Sequence, residues 1–215
     1  MQIHRLVVGP LQENCYLVVS EGTGDCVVID PGGEAGKIIR EIQVQQLKVG
    51  LIVNTHGHPD HTGGVATVQQ ATGATYAIHA MDMETILNGN SHARSWLPDF
   101  IEPPTPDRFL LDEEDLAVGE VKLRVLATPG HTPGAVCFSG DGVVFTGDTL
   151  FEGTIGRYDL PGGNGPVLLE SIRTRLLTLP GDTQVLPGHG SVSTIGRERE
   201  NNPFLQPGSE WLLLR

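Results

Sequence analysis

The segment THGHPDHTGG, residues 55–64, concentrates imidazole and carboxylate groups in one turn. His56 and His58 stand two positions apart, and Asp60 and His61 follow them directly. The segment comes straight after an apolar run that is typical of a short buried strand. In a loop that leaves a strand, His56 and His58 can turn towards one point, while Asp60 and His61 serve a neighbouring point.

Three residues further along the chain stand in comparable positions. His131 in ATPGHT, Asp148 in FTGDT and His189 in LPGHG each follow an apolar run and a glycine. Nitrogen and oxygen ligands of this kind suit Zn²⁺, Mn²⁺ or Fe²⁺ at about 2.0 to 2.2 Å. Asp148 is a candidate bridge between two ions about 3.5 to 4 Å apart.

The alternative interpretation of these histidines is an ordinary role on the surface or in the core. We keep that interpretation for His4, His79 and His92, which stand outside any cluster. Five of the eight histidines, however, fall in or after glycine-rich turns at the ends of strands. A solvated polar turn has no need of imidazole at those positions, so the pattern favours a metal site.

Apolar runs bounded by glycine and proline predict the elements that must position these residues. The first half predicts strands and helices in alternation, with strands at 6–9, 15–20, 26–30, 51–55 and 75–79, and helices at 34–47 and 63–72. The second half predicts a strand at 121–132, a hairpin at 134–150 that turns at Asp141-Gly142, a helix at 165–180 and a strand at 184–190. The polar, proline-rich segment at 88–108 is interpreted as an ordered long loop between the halves.

Strands and helices thus occur in two successive sets. This order predicts an α/β fold in which two β-sheets pack face to face and helices cover both outer faces, an αββα sandwich. A chain of 215 residues is expected to form a single domain, 1–215.

Composition limits the partners that the chain can have. With 26 acidic and 14 basic residues and a net charge of -12, the chain has no electrostatic footprint for nucleic acid or anionic lipid. We find no apolar signal core and no run of about 20 apolar residues, so we expect no membrane span and a cytoplasmic location. Cys15, Cys26 and Cys137 lack CxxC spacing and are odd in number, which favours reduced and mostly buried thiols.

The pattern HxHxDH with later His, Asp and His resembles the metallo-β-lactamase superfamily over nearly the whole chain, and that family has the αββα sandwich predicted above. The resemblance implies three ligand groups, which are His56, His58 and His131 for a first metal, Asp60, His61 and His189 for a second, and Asp148 as the bridge. It implies two divalent metal ions, with zinc as the first choice and iron or manganese as alternatives. Since β-lactamases commonly carry cysteine where Asp148 stands, we expect another hydrolase activity rather than antibiotic cleavage.

The stretches GDTLFEGTIGRYDLPGG (147–163) and GHGSVSTIGRERENNPFL (188–205) are similar to glyoxalase II-type hydrolases, especially their short bacterial single-domain relatives. The similarity implies hydrolysis of a small-molecule glutathione thioester, typically S-D-lactoylglutathione. A metal-bound hydroxide would attack the thioester carbonyl, and Asp60 would orient that hydroxide or accept its proton. Full-length members carry a C-terminal helical domain with basic residues for glutathione. Because this sequence ends at Arg215, we expect a metallo-hydrolase domain without that helical domain.

Two further groups have both a functional and a structural interpretation. An acidic protein needs a local cation to bind an anionic substrate, and Arg157 with Tyr158 is the candidate. The structural alternative is an ion pair of Arg157 with Asp159 or Glu152 that stiffens the loop. The aromatic residues at 96 and 100 are interpreted either as a cap over the metal cleft or as buried anchors of the long loop.

Two other activities remain open beside thioester hydrolysis. Persulfide dioxygenases share the fold and much of the motif, and they use one iron held by two histidines and an aspartate. In this sequence His56, His131 and Asp148 would supply that triad. Lactone hydrolysis is a third interpretation, since its carbonyl chemistry is nearly the same. A protein that only binds would be expected to have lost at least one of the seven candidate ligands, and all seven are present.

Overall fold

Two six-stranded sheets face each other at the centre of the molecule, and the computed structural model describes residues 1–209. The strands of the first sheet lie in chain order and are β1 (Gln2–Val8), β2 (Glu13–Val19), β3 (Asp25–Ile29), β4 (Lys48–Val53), β5 (Thr75–His79) and β6 (Arg108–Leu110). Strands β1 to β3 pair antiparallel, whereas β3 to β6 pair parallel. The first sheet is therefore mixed.

The second half of the chain forms the second sheet. Its strands are β7 (Asp115–Val118), β8 (Val121–Ala127), β9 (Val136–Gly140), β10 (Val143–Gly147), β11 (Leu150–Phe151), β12 (Thr154–Ile155), β13 (Gln184–Pro187) and β14 (Ser193–Thr194). The order in the sheet is β14-β13-β10-β9-β8-β7, while β11 and β12 pair separately. Strands β10 and β13 pair parallel and the other neighbours antiparallel. The turn between β9 and β10 has positive φ at both Asp141 (50°) and Gly142 (76°), which confirms the predicted hairpin.

Helices cover the outer face of each sheet. They are α1 (Ala35–Val44), α2 (Pro59–Thr62), α3 (Val65–Thr72), α4 (Met83–Ala93), α5 (Gly165–Ser171) and α6 (Ile195–Asn201). Helices α1, α3 and α4 bury apolar side chains against the first sheet, and α5 and α6 do so against the second. A π-helical turn at Ile172–Leu176 continues α5 and keeps Ile172 and Leu176 buried. The αββα sandwich predicted from the sequence is confirmed.

The space between the sheets is filled by alternate side chains of their inner faces. Val27, Ile29, Val125 and Phe138 belong to this core and are each at most 1% exposed. The three cysteines are buried and unpaired, as expected. Within residues 1–209, we find no helix that combines the length and apolar character needed to cross a bilayer.

The prediction of a continuous loop at 88–108 was wrong at both ends. Helix α4 extends to Ala93, and β6 begins at Arg108. The residues of α4 from Asn88 to Ser91 have low helix propensity, which hid the helix from sequence analysis. Packing against α2 compensates, because a Cβ on Gly89 would come within 2.8 Å of the Pro59 ring.

Candidate metal centre

Four strands deliver the candidate ligands to one edge of the sandwich. The turn after β4 carries the HGHPDH cluster, and the turns after β8, β10 and β13 carry His131, Asp148 and His189. The structure brings all seven candidate side chains together there, which are His56, His58, Asp60, His61, His131, Asp148 and His189. Residues separated by more than 130 positions thus meet at a single cleft.

His56, His58 and His131 form the first group. His131 Nε2 lies 2.9 Å from His58 Nδ1 and 3.3 Å from His56 Nε2. Two tetrahedral ligands of one zinc ion, each at about 2.0 Å, lie about 3.3 Å apart. The spacing of the three ring nitrogens is therefore that of atoms that share one ion.

Asp60, His61 and His189 form the second group. Asp60 Oδ2 lies 3.3 Å from His189 Nε2 and 3.8 Å from His61 Nε2. The three ligand atoms all lie within 4.8 Å of one another. This group mixes oxygen and nitrogen donors, which suits zinc, iron or manganese.

Asp148 lies between the two groups and directs one oxygen to each. Its Oδ2 lies 3.7 Å from His131 Nε2 of the first group. Its Oδ1 lies 3.4 Å from His61 Nε2 and 3.7 Å from His189 Nε2 of the second. A Cβ on Gly188 would come within 2.6 Å of this same oxygen, so the glycine lets the turn after β13 lie close to Asp148. The carboxylate has the geometry of a bridge between two ions.

Hydrogen bonds on the far side of the rings fix which nitrogen faces the cleft. His131 Nδ1 lies 2.7 Å from the carbonyl oxygen of Arg157, and His189 Nδ1 lies 3.0 Å from that of Leu11. A carbonyl oxygen only accepts, so each Nδ1 must carry the hydrogen and donate it. The Nε2 atoms of both rings then hold free lone pairs for a metal.

Asp30 positions the cluster through buried hydrogen bonds, and sequence analysis did not identify this residue. Its carboxylate lies 3.0 Å from His61 Nδ1 and accepts hydrogen bonds from Thr55 N (2.7 Å), Thr55 Oγ1 (2.6 Å) and Asn54 Nδ2 (3.1 Å). Its side chain is almost completely buried. The one signal in the sequence was a carboxylate between a buried strand and a Pro-Gly turn.

Asp82 connects the two turns of the first group and was also missed. Its carboxylate accepts hydrogen bonds from Gly57 N (2.7 Å), Thr132 Oγ1 (2.7 Å) and Gly134 N (2.6 Å). Burial raises the pKa of Asp82, and these hydrogen bonds act in the opposite direction. Because Gly57 separates His56 from His58 and Thr132 follows His131, Asp82 sets the distance between the two turns.

Glu13 lies near the second group but is not one of its candidate ligands. Its Oε1 lies 4.0 Å from His61 Nδ1, and neither carboxylate oxygen has a hydrogen-bond partner within residues 1–209. Burial raises the pKa of Glu13 well above its ordinary value, which favours the neutral acid. Since His61 Nδ1 faces Asp30 at hydrogen-bond distance, we do not assign a metal to the cluster of Glu13, Asp30 and His61.

The charges of the cluster fit divalent cations. Burial, with help from the neighbouring imidazoles, lowers the pKa of His56 well below its ordinary value and that of His58 to about 4, so both rings are neutral ligands at pH 7. Burial also lowers the pKa of His61, but the surrounding carboxylates, Asp148 first, outweigh it and raise that pKa. Buried His61 Nε2 and Asp148 Oδ1 lack hydrogen-bond partners among the described residues. The cluster therefore attracts positive charge at atoms that no other group within residues 1–209 satisfies.

An apolar wall surrounds the ligand atoms. The cleft has a volume of about 580 Å³, and Leu11, Trp96, Phe151, Ile155 and Leu160 line it. Trp96 also packs against the small cluster of Ala93, Leu97 and Phe100. Phe100, 6% exposed, is a buried anchor of its loop, whereas Trp96 is half-buried and faces the cleft.

Arg157 lines the cleft but is paired at the surface. Its guanidinium donates to both oxygens of Asp159, at 3.0 and 2.9 Å, and its side chain is 67% exposed. Glu152, the other partner considered, pairs with Arg197 at 2.7 Å. Tyr158 packs against the outer core of the second sheet and is not among the residues that line the cleft.

Known proteins are similar to this chain in sequence and in structure over nearly its whole length. The hydroxyacylglutathione hydrolase GloC of Haemophilus influenzae is 37% identical over 97% of this chain and 100% of its own. Among solved structures, BLEG-1, a B3 metallo-β-lactamase, is 35% identical with a TM-score of 0.88, over 95% of this chain and 100% of its own. TTHA1623 in a di-iron-bound form is 40% identical with a TM-score of 0.85, over 94% and 100% of the two chains.

The extent of the family match agrees with the geometry. Residues 8–189 match the metallo-β-lactamase superfamily. That range includes all seven clustered side chains and strands β2 to β13. The fold, the ligand cluster and the match agree, and the chain belongs to the metallo-β-lactamase superfamily.

Proposed function

We propose that this chain is a metal-dependent hydrolase of glutathione thioesters that binds two divalent ions, with zinc as the first choice. The first ion takes the histidine group His56, His58 and His131, and the second takes Asp60, His61 and His189. The observation that carries the proposal is the position of Asp148, which directs one carboxylate oxygen towards each group. The similarity to GloC supports the thioester as substrate.

A pair of divalent ions held by these residues would lower the pKa of a water molecule and polarise a carbonyl group. Asp60 contributes the orientation of that water. Burial by itself would raise the pKa of Asp60, but His61 and then His189 lower it below its ordinary value. A carboxylate with a lowered pKa stays ionised and can accept a hydrogen bond without taking the proton, so Asp60 suits the role of orienting the water.

The wall of the cleft beside the reacting groups is largely apolar. Leu11 and Phe151 line it without any polar side-chain atom, and Trp96 contributes only its indole N–H. Electrostatic interactions between the site and a developing oxyanion are stronger in such an environment than in water. The wall therefore favours attack on an uncharged carbonyl.

Arg157 is the proposed contact for a carboxylate of the glutathione tail. In this structure it pairs with Asp159, an exposed partner. Water screens an exposed pair of this kind, so a substrate carboxylate can replace Asp159 at low cost. Because Tyr158 packs against the outer core, we keep only Arg157 in this role.

The mononuclear alternative, a persulfide dioxygenase, would use only His56, His131 and Asp148. The second group argues for two ions, because His61 Nε2 is buried and lacks a hydrogen-bond partner among the described residues. The di-iron form of TTHA1623 supports occupancy by two ions and keeps iron beside zinc as a candidate.

Metal content and substrate turnover together test the proposal. We expect elemental analysis of the purified protein to give close to two divalent ions per chain, and the protein to hydrolyse S-D-lactoylglutathione. One iron per chain with oxygen uptake on glutathione persulfide would support the dioxygenase instead. A lactone and a β-lactam serve as comparison substrates, and a higher kcat/KM on either would contradict the thioester proposal.

A further inference from the structure

A second cavity lies beside the metal cleft, next to helix α4. We call it the α4 cavity, and its volume is about 390 Å³. The residues that line it are His58, Met81, Glu84, Thr85, Asn88, Gly89, Pro133, Leu160, Pro161 and Gly162. His58 and Leu160 also line the metal cleft. A ligand above the metal ligands therefore has direct access to the α4 cavity.

The wall of the α4 cavity is mainly apolar. Its apolar side chains are Met81, Pro133, Leu160 and Pro161. The lining residues, all in the described part of the chain, include one acidic residue, Glu84, and no lysine or arginine. Arg157 lines the cleft but not this cavity. The α4 cavity suits an uncharged, apolar group and disfavours an anion.

Rigid backbone holds the cavity open on two sides. Gly89 lies so close to Pro59 that a Cβ would come within 2.8 Å of the Pro59 ring, which keeps α4 against α2. Gly162, opposite, has a φ of 85°, a backbone conformation that other residues rarely adopt. Preformed apolar cavities of several hundred Å³ are typical of small-molecule sites.

We propose that the α4 cavity binds the acyl group of the thioester and gives the site a preference for longer apolar acyl chains. This inference rests on the proposed thioester hydrolysis. A glutathione thioester has two ends at the scissile carbonyl, and the glutathione end carries two carboxylates. Glu84 repels that end, and no cation of the cavity wall attracts it. The acyl end is the part whose chemistry the α4 cavity matches.

A pair of substitutions on α4 tests the assignment. Asn88 and Leu87 are both exposed and adjacent, but only Asn88 lines the cavity. Asn88→Phe narrows the cavity, and Leu87→Phe is the matched control. In the wild type we expect kcat/KM for S-hexanoylglutathione to exceed that for S-acetylglutathione by at least about tenfold, since each buried methylene contributes about fourfold. We expect Asn88→Phe to reduce this ratio about tenfold and Leu87→Phe to preserve it.

Binding measurements separate this inference from the proposed function. Calorimetry with the metal-loaded protein compares S-hexylglutathione with S-methylglutathione, neither of which can be hydrolysed as a thioester. If the wild type binds the hexyl compound more tightly and Asn88→Phe loses this difference, the result supports the α4 cavity as the acyl site. This holds even if no thioester is hydrolysed, and in that case only the proposed function fails. Hydrolysis without a chain-length preference, or an equal loss on both substrates in Asn88→Phe, would overturn the inference alone.

Discussion

His61 Nδ1 and Asp30 Oδ2 lie 3.0 Å apart at the centre of the buried network beneath the ligand cluster. Asp30 also accepts hydrogen bonds from the main chain and hydroxyl of Thr55, and that hydroxyl oxygen lies 3.1 Å from His56 Nδ1. Because the one hydroxyl hydrogen of Thr55 goes to Asp30, His56 Nδ1 must donate to the hydroxyl oxygen of Thr55. Asp30 therefore orients His61 directly and His56 through Thr55.

Asp30→Asn should weaken metal binding and the fold together. An amide offers one acceptor oxygen where the carboxylate offers two, so at least one buried donor loses its partner. We expect metal affinity at the second group to fall about 10- to 100-fold and the free energy of unfolding of the metal-free protein to fall by about 1 to 3 kcal/mol. Chelator competition and denaturant unfolding measure the two effects. Asp182→Asn, on an exposed carboxylate, is the control and should change neither quantity.

Asp82→Asn should affect the other group. The amide nitrogen would face backbone N–H groups of Gly57 or Gly134, so the two turns of the first group would separate. We expect weaker binding of the first metal by about 10- to 100-fold, with the second metal retained. Metal content after dialysis against a mild chelator distinguishes this variant from Asp30→Asn. Identical metal loss in both variants would mean that Asp82 does not act mainly on the first group and Asp30 mainly on the second.

The clustering of the seven candidate ligands could be predicted from the sequence, whereas the carboxylates that position them, Asp30 and Asp82, could not. Each ligand stands in a glycine-containing turn after an apolar run, as in LPGHG, so its type and its place at a strand end are both visible. Asp82 meets its partners across 25 to 52 positions and has no such local pattern. Single carboxylates are common on protein surfaces, and only the fold reveals that this one is buried.

The contrast between local sequence patterns and contacts between distant residues also explains the errors in the fold prediction. The strands of the inner core have apolar runs that the sequence displays, such as TYAIH, which forms β5 as predicted. Helix α4 has a polar composition over Asn88 to Ser91 and is stabilised by packing against Pro59, which local propensity does not report. Short edge strands such as β6, with three residues, gave no pattern long enough to recognise.

Asp148→Ala and Asp60→Ala should differ in metal stoichiometry. Asp148 faces both groups, so its removal should release both ions, whereas Asp60 belongs only to the second group. We expect close to zero ions per chain in Asp148→Ala and about one in Asp60→Ala, as measured by elemental analysis after gel filtration. Equal retention of metal in the two variants would rule out a bridging role for Asp148.

Arg157→Ala should discriminate between substrates by charge. The carbonyl oxygen of Arg157 still accepts from His131 in the variant, so the metal site should persist. We expect KM for S-D-lactoylglutathione to rise about 5- to 10-fold, and KM for the lactoyl thioester of neutral N-acetylcysteamine to change by less than about twofold. Arg197→Ala, which removes another exposed and ion-paired arginine, is the control. An unchanged KM ratio would leave Arg157 with the structural role of pairing with Asp159.

Metal removal should lower thermal stability through the same cluster. Without cations, the neutral rings of His56 and His58 and the carboxylates of Asp60 and Asp148 remain buried against one another. A metal that binds only the folded state stabilises it by about 4 kcal/mol when its free concentration is 1,000 times the dissociation constant. We therefore expect a strong chelator to lower the Tm of the wild type by several degrees in scanning calorimetry. The chelator should have little effect on Asp148→Ala, because that variant starts without the ions. A wild-type Tm that is insensitive to chelation would mean that the seven side chains stabilise one another without metal, and the proposed chemistry would lose its basis.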